Sequence, residues 1–216
     1  AEVFCAALES AAFAENDTRK LIEIGLSYIP ADCGVARAVH AALEAFEGGQ
    51  SWQEARKRIL QAVPSTFGLL GTPREQVAPD EPEGVMGYDA PSNIGIILIG
   101  WLYGEGDFGR SISIAASCGE DADCTAGTLG ALLGIVHGAA ALPARWLEPI
   151  GRSIKTLCVN RGDQGLRVPN TVEEMTERVL QLTPSVLGSE WVDVLCPTVG
   201  YQINRNSGDV ILHQTQ

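Results

Sequence analysis

Helix start and stop signals recur along this chain at intervals that leave room only for short helices. Asp17 stands before Leu21, Ile22 and Ile24, and Pro30 closes that segment near Tyr28. Asp32 stands before Val35, Val39, Ala42 and Phe46, which share one face at helical spacing, and Gly48-Gly49 ends the run. Ser51-Trp52-Gln53-Glu54 has the spacing of a capping box and opens a helix to Val63. Ser92 or Asn93 caps an apolar segment through Trp101 that ends at Gly104-Glu105-Gly106, and Asp107 caps the next, through Ile112 and Ile114 to Ser117. After the loop 118–123 a longer helix runs to about Ala141, and Pro143 opens a short turn carrying Trp146. Thr171-Val172-Glu173-Glu174 repeats the capping-box spacing and opens a helix to about Leu182. With residues 2–14 helical in composition, the pattern is that of an α bundle.

Two stretches depart from it. Residues 64–92 hold Pro64, Pro73, Pro79, Pro82 and Pro91 without clear periodicity, and a connection this long inside a compact domain is usually functional or mobile. Near the end, Val199 to Asn204 and Asp209 to His213 flank Asn206-Ser207-Gly208, the spacing of a β-hairpin. The expectation is a mainly α chain: a helical domain over 1–185 and a small β-hairpin tail over 186–216.

Charge and cysteine usage narrow the partners. A net charge of −12 without a Lys/Arg cluster repels phosphate backbones, so nucleic acid is excluded as a partner. The longest apolar run, Ile94 to Tyr103, is half of the roughly 20 residues a membrane span needs, so no membrane is expected. Cys5, Cys33, Cys118, Cys124, Cys158 and Cys196 form no Cys-x-x-Cys pair, which argues against a zinc ribbon and for a reducing cytoplasm. The start, Ala1-Glu2-Val3-Phe4-Cys5-Ala6-Ala7-Leu8, lacks the basic region of a signal peptide and reads as the inside of an amphipathic helix.

The chemistry concentrates in Gly119-Glu120-Asp121-Ala122-Asp123-Cys124-Thr125. One aspartate at a helix entrance is an N-cap, worth about 1 kcal/mol. Capping does not explain the second. Two carboxylates close together in a poorly solvated place repel unless one is protonated or a cation lies between them, and Arg110 is the nearest basic residue in sequence. Mg²⁺ or Mn²⁺ suits carboxylate, hydroxyl and water ligands, and Thr125 offers a hydroxyl. A solvated cap is the competing reading. An EF-hand fails, because Ala126 stands at the required glycine and Leu132 at the bidentate glutamate. Zinc held by histidine fails because His40, His137 and His213 are scattered, and His137 reads as a packed helix residue. Gly130, Gly134 and Gly138 form a stripe on which a neighbouring helix is expected to pack. Tyr88, Asp89 and Asn93 read equally as a pocket mouth or as loop and helix cap.

Gly119 to Ala131 is similar to the late metal motif of the ADP-ribosylglycohydrolase family, Gly-x-Asp-x-Asp-(Thr or Cys) followed by a small-residue helix. Leu26 to Asp32, Leu102 to Phe108 and Leu142 to Trp146 also resemble family segments in matching order, so the resemblance covers roughly 1–185. It implies a helical bundle, here partial, with a binuclear Mg²⁺ site; Mn²⁺ is the alternative cation. The ligand roles carry over to Asp121 and Asp123. The family's following threonine ligand is Cys124 here, which leaves that position open between Cys124 and Thr125.

The family's early Gly-Asp and Thr-Asp-Asp motifs, and with them the general acid/base carboxylate, are not found in this chain. The resemblance therefore implies an ADP-ribosyl hydrolase of which this chain supplies half of the site. An N-terminal half or another chain would complete it, the isolated chain would be inactive, and the substrate would be an ADP-ribosylated protein or ADP-ribose-like small molecule. A non-catalytic helical binding or assembly module is the other reading.

Overall fold

The computed structural model describes residues 1–63, 89–155, 168–187, 192–196 and 200–203, the last two stretches by their backbone. Its contacts divide the chain into two compact units, Ala1–Pro143 and Ala144–Gln216.

The first unit is helical: α1 (Glu2–Ala12), α2 (Thr18–Ser27), α3 (Gly34–Glu47), α4 (Trp52–Ala62), α5 (Ala90–Gly104), α6 (Phe108–Ser117) and α7 (Ala122–His137), followed by a 3-10 turn at Ala139–Ala141. At its centre lies α5. It is apolar all round, with Ile94, Ile96, Ile97, Leu98, Ile99, Trp101 and Leu102 buried, and a helix of that kind must be covered on every side. It packs against α3, α4, α6 and α7, while α1 lies on α2 and α7. The closest approach is between α5 and α6. A Cβ at Gly104 would stand 1.9 Å from Ser111 Oγ and 2.8 Å from Ser111 Cα, so only glycine allows the two backbones so near.

Local signals fix most helix ends. Asp17 caps α2 through Lys20 N at 3.0 Å, and Asp107 caps α6 through Arg110 N at 2.6 Å. Both halves of the Ser51–Glu54 box form. Three starts and ends differ from the sequence reading. Helix α3 is capped by Cys33, whose Sγ accepts from Ala36 N at 3.4 Å, because a turn from Pro30 to Cys33 carries the chain one residue past Asp32. Helix α5 begins at Ala90 behind Asp89 rather than at Ser92 or Asn93, since Pro91 fits a first helical turn where its missing N–H costs nothing. Helix α7 stops at His137, where Gly138 takes φ +77°, instead of running to Ala141.

Two further expectations are corrected here. His137 is exposed rather than packed. The glycine stripe of α7 is not a close-packed seam among the described residues: a Cβ at Gly130 would make an ordinary 3.6 Å contact with Ile112, and at Gly134 and Gly138 it would meet nothing within 4 Å. The tight glycine contacts lie elsewhere: at Gly95, Gly100 and Gly104 of α5, and at Gly25 of α2, where a Cβ would stand 2.7 Å from the Phe4 ring.

In the second unit, α8 (Ala144–Leu147) carries Trp146, and an antiparallel bridge joins Ser153 to Thr171 ahead of α9 (Val172–Leu187). Thr171 Oγ1 accepts from Glu174 N at 3.2 Å, but Glu174 returns its carboxylate to Asn170 N at 2.9 Å, one residue earlier than a capping box requires. Helix α9 continues past Leu182 with Pro184 inside it. Strands β1 (Val192–Cys196) and β2 (Gly200–Ile203) pair antiparallel, with Val192 opposite Ile203 and Val194 opposite Tyr201. The segment Val199 to Asn204, read as the first hairpin strand, overlaps β2, which pairs with the upstream β1; the turn at Asn206-Ser207-Gly208 and the strand 209–213 lie outside the described residues, as do Tyr88 and most of 64–92. Among the described residues no helix is long and apolar enough to cross a membrane.

Candidate metal centre

The Asp-x-Asp segment enters α7 through a turn that the local sequence alone would not hold. Cys118 N closes α6 on the Ile114 and Ala115 carbonyls. Gly119 and Glu120 then both take left-handed backbone, φ +75° and +58°. Glycine does so freely, but a glutamate there costs about 1–2 kcal/mol. The offset comes from α4. Arg56 Nη2 meets Glu120 Oε1 at 3.2 Å, and Arg56 Nε donates to the Cys118 carbonyl at 2.5 Å. The side chains of the pair are only 17% and 3% exposed, so this charge pair is shielded from solvent and clamps both ends of the turn.

That turn delivers Asp121 to the N-cap position of α7, with φ −91° and ψ 63°, yet its side chain makes no cap hydrogen bond. Its Oδ2 instead accepts from Asn93 Nδ2, on the first turns of α5, at 3.2 Å. Among the described residues, Asn93 Oδ1 is buried and has no hydrogen-bond partner. Asp123 and Cys124 follow in the exposed first turn of α7. One ligand atom from each of Asp121, Asp123 and Cys124 lies within 4.8 Å of the others. Two ligands of a single cation at metal distances of about 2.0–2.3 Å stand at most about 4–4.6 Å apart, so small side-chain movements bring all three onto one ion. The donor set, two carboxylates and a sulfur beside an orphaned amide oxygen, fits a divalent cation. The partial positive charge at the α7 N-terminus relieves some of the carboxylate repulsion, by about 0.3–1 kcal/mol.

Thr125, one residue further on, is fully buried, and its hydroxyl donates to the Ala122 carbonyl at 3.3 Å. The cysteines on either side of the turn also differ. Burial pushes the Cys118 thiol up to about 12, against the pull of Arg56. The exposed Cys124 thiol is also raised, first by its hydrogen bond with Asp121, then by slight desolvation and by the charges of Asp121 and Asp123.

Sequence reasoning missed Arg56 and the use made of Asn93. Arg110, the nearest basic residue in sequence, pairs with Glu105 at 2.9 Å. Arg56 reaches the loop from 64 positions away from Glu120, and no local spacing announces that. A shallow groove of about 360 Å³ runs along α4 between Gln50, Glu54, Lys57, Arg58 and Gln61; it does not include the aspartates.

The first unit is thus a helical bundle that presents an acidic, thiol-bearing turn at the N-terminus of α7. The model of the ADP-ribosylglycohydrolase family, a family of hydrolases, matches residues 1–185, and the chain belongs to that family. No curated protein and no solved structure matches it.

Proposed function

We propose that this chain carries one side of the metal site of a hydrolase that cleaves the C1″ glycosidic bond joining ADP-ribose to a protein side chain or related acceptor. The observation that carries the reading is Asp121: it occupies the cap position of α7 without capping it, and its carboxylate gathers with Asp123 and Cys124 within 4.8 Å.

In this reading Asp121 and Asp123 hold a divalent cation, Mg²⁺ or Mn²⁺, with two ions in the complete site. When bound, the cations supply charge to orient the ribose hydroxyls and acidify a water. The chain's own residues do the positioning. Asn93 fixes the rotation of the Asp121 carboxylate through its amide, and Arg56 with Glu120 fixes the turn that aims it. The Thr125 hydroxyl, donating to the Ala122 carbonyl, keeps its oxygen lone pairs for a cation. The acid/base carboxylate and the opposing ligands belong to a segment with the Gly-Asp and Thr-Asp-Asp motifs, so this chain alone is inactive.

The test measures ADP-ribose released from a modified protein with Mg²⁺ or Mn²⁺, by this chain alone and together with such a segment. Release by the pair only, lost in Asp123→Asn, is expected. Full release by the chain alone would refute the half-site, and no release by either would refute the hydrolase.

A further inference from the structure

Helix α9 carries an apolar stripe that the described residues leave exposed. Val172, Val179 and Val186 recur at heptad spacing, and Met175 and Leu182 each follow a valine by three, so the five side chains share one side of the helix. Each is 45% to 78% exposed, whereas Leu180 and Pro184, on another side, are half-buried. A contiguous exposed apolar face of this kind marks an interaction surface.

The residues on the stripe select its occupant. β-Branched side chains at the first heptad position with leucine at the fourth favour two parallel helices. Here every first position is valine, and the fourth positions hold methionine and leucine. The charges agree. Glu173, Glu174 and Glu177 lie off the stripe, and its flanks carry Thr171, Thr176, Thr183 and Ser185, with Arg178 the one charged residue. Copies of a chain with net charge −12 repel each other, yet this strip brings no carboxylate against its own copy. A parallel, in-register pair uses all five side chains and sets Arg178 against Thr183 of the second copy, whereas the longest antiparallel register sets Arg178 beside its own copy. A lipid surface suits the helix poorly, because the polar side is acidic rather than rich in Lys and Arg. We infer that α9 is a self-association surface, on which two copies of this chain pair in parallel with Val172, Met175, Val179, Leu182 and Val186 meeting their counterparts.

Two heptads are short for a free coiled coil, but this helix does not depend on association to form. Val172 N donates to the Arg152 carbonyl at 3.0 Å, and Thr171 Oγ1 accepts from Glu174 N at 3.2 Å, so the first turn is already nucleated. At 1.5 Å per residue the stripe is about 21 Å long. A seam of that length buries less than a standard stable interface, so the pair exchanges with single chains and its population follows concentration.

The experiment is sedimentation equilibrium of the full chain over a concentration series into the millimolar range. The unsubstituted chain should shift from the mass of one copy toward that of two. Val179→Asp and Val179→Lys should both raise the dissociation constant about tenfold or more, as for a residue at the centre of an interface. They change net charge in opposite senses, so a shared effect is not general charge repulsion. Val179→Ile should retain the pair, and because position 179 is exposed, far-ultraviolet circular dichroism should be unchanged in all three. Under mild oxidation Leu182→Cys should cross-link copy to copy through position 182, identified by peptide mass, and Gln181→Cys, off the stripe, should not. A chain that stays single throughout overturns the inference, and a lowered unfolding midpoint in Val179→Asp would then mean that the stripe is covered within its own chain. Pairs that survive both Val179→Asp and Val179→Lys, or that form without the 182 cross-link, overturn it too.

Discussion

Removing the Arg56 guanidinium should destabilise the first unit more than its position on the flank of α4 suggests. Arg56→Ala deletes a pair whose members are 17% and 3% exposed, together with the 2.5 Å bond to the Cys118 carbonyl. Breaking a buried pair from one side costs about 3–5 kcal/mol, and the partial exposure of Arg56 puts the expectation at the lower end, about 3 kcal/mol. The left-handed strain at Glu120 remains while its offset is gone. At about 2–4 °C per kcal/mol for a chain of this size, Tm should fall by about 6–12 °C. Urea unfolding followed by tryptophan fluorescence measures the loss, with Trp52 on α4 and Trp101 on α5 as reporters. Glu120→Gln and the double variant complete a cycle, and a coupling of about 0.5–3 kcal/mol is expected for groups in contact. A loss under about 1 kcal/mol in Arg56→Ala, or additive single variants, would show that the turn does not depend on this clamp.

Two further outcomes are expected. Gly104→Ala should lose about 1–3 kcal/mol or more in urea unfolding, since its Cβ falls 1.9 Å from Ser111 Oγ, and an unchanged midpoint would mean that α5 and α6 separate easily. For Cys118 the ordinary value is 9.0 and the folded value about 12, so between these the unfolded chain releases a proton that the folded chain keeps. Its stability contribution is complete below pH 9 and falls by about 1.4 kcal/mol per pH unit as pH climbs toward about 12. Wild type minus Cys118→Ala, measured by urea unfolding along that range, should show this slope, and parallel curves would contradict the burial.

What the sequence made legible was short-range. Asp17, Ser51 and Asp107 act within three residues of themselves, so their caps could be read directly, as could the all-round apolar face of α5. Asp121 and Asp123 were visible for the same reason. The cap at Cys33 in place of Asp32 was not legible, because a thiol is a weak acceptor that cap preferences do not favour and only the turn after Pro30 decides the matter. The glycine stripe of α7 has the right spacing for close packing, but spacing says nothing of whether a helix lies opposite. Arg56 and Asn93 reach the loop from α4 and α5, and tertiary packing alone sets that meeting.

The contact between Gly104 and Ser111 restricts how this sequence is free to drift. Trimming Ser111 to glycine would clear its Oγ and Cβ from a new side chain at 104, but Ser111 Cα would still stand 2.8 Å away. One substitution therefore cannot compensate for the other, and the helices must first move apart. Helix α5 carries Asn93 as well as Gly104, and α6 leads directly into the turn that aims Asp121. A change tolerated at 104 by separating the two helices would arrive at the acidic turn as a lost hydrogen bond, so selection on the site reaches a position that touches none of its residues.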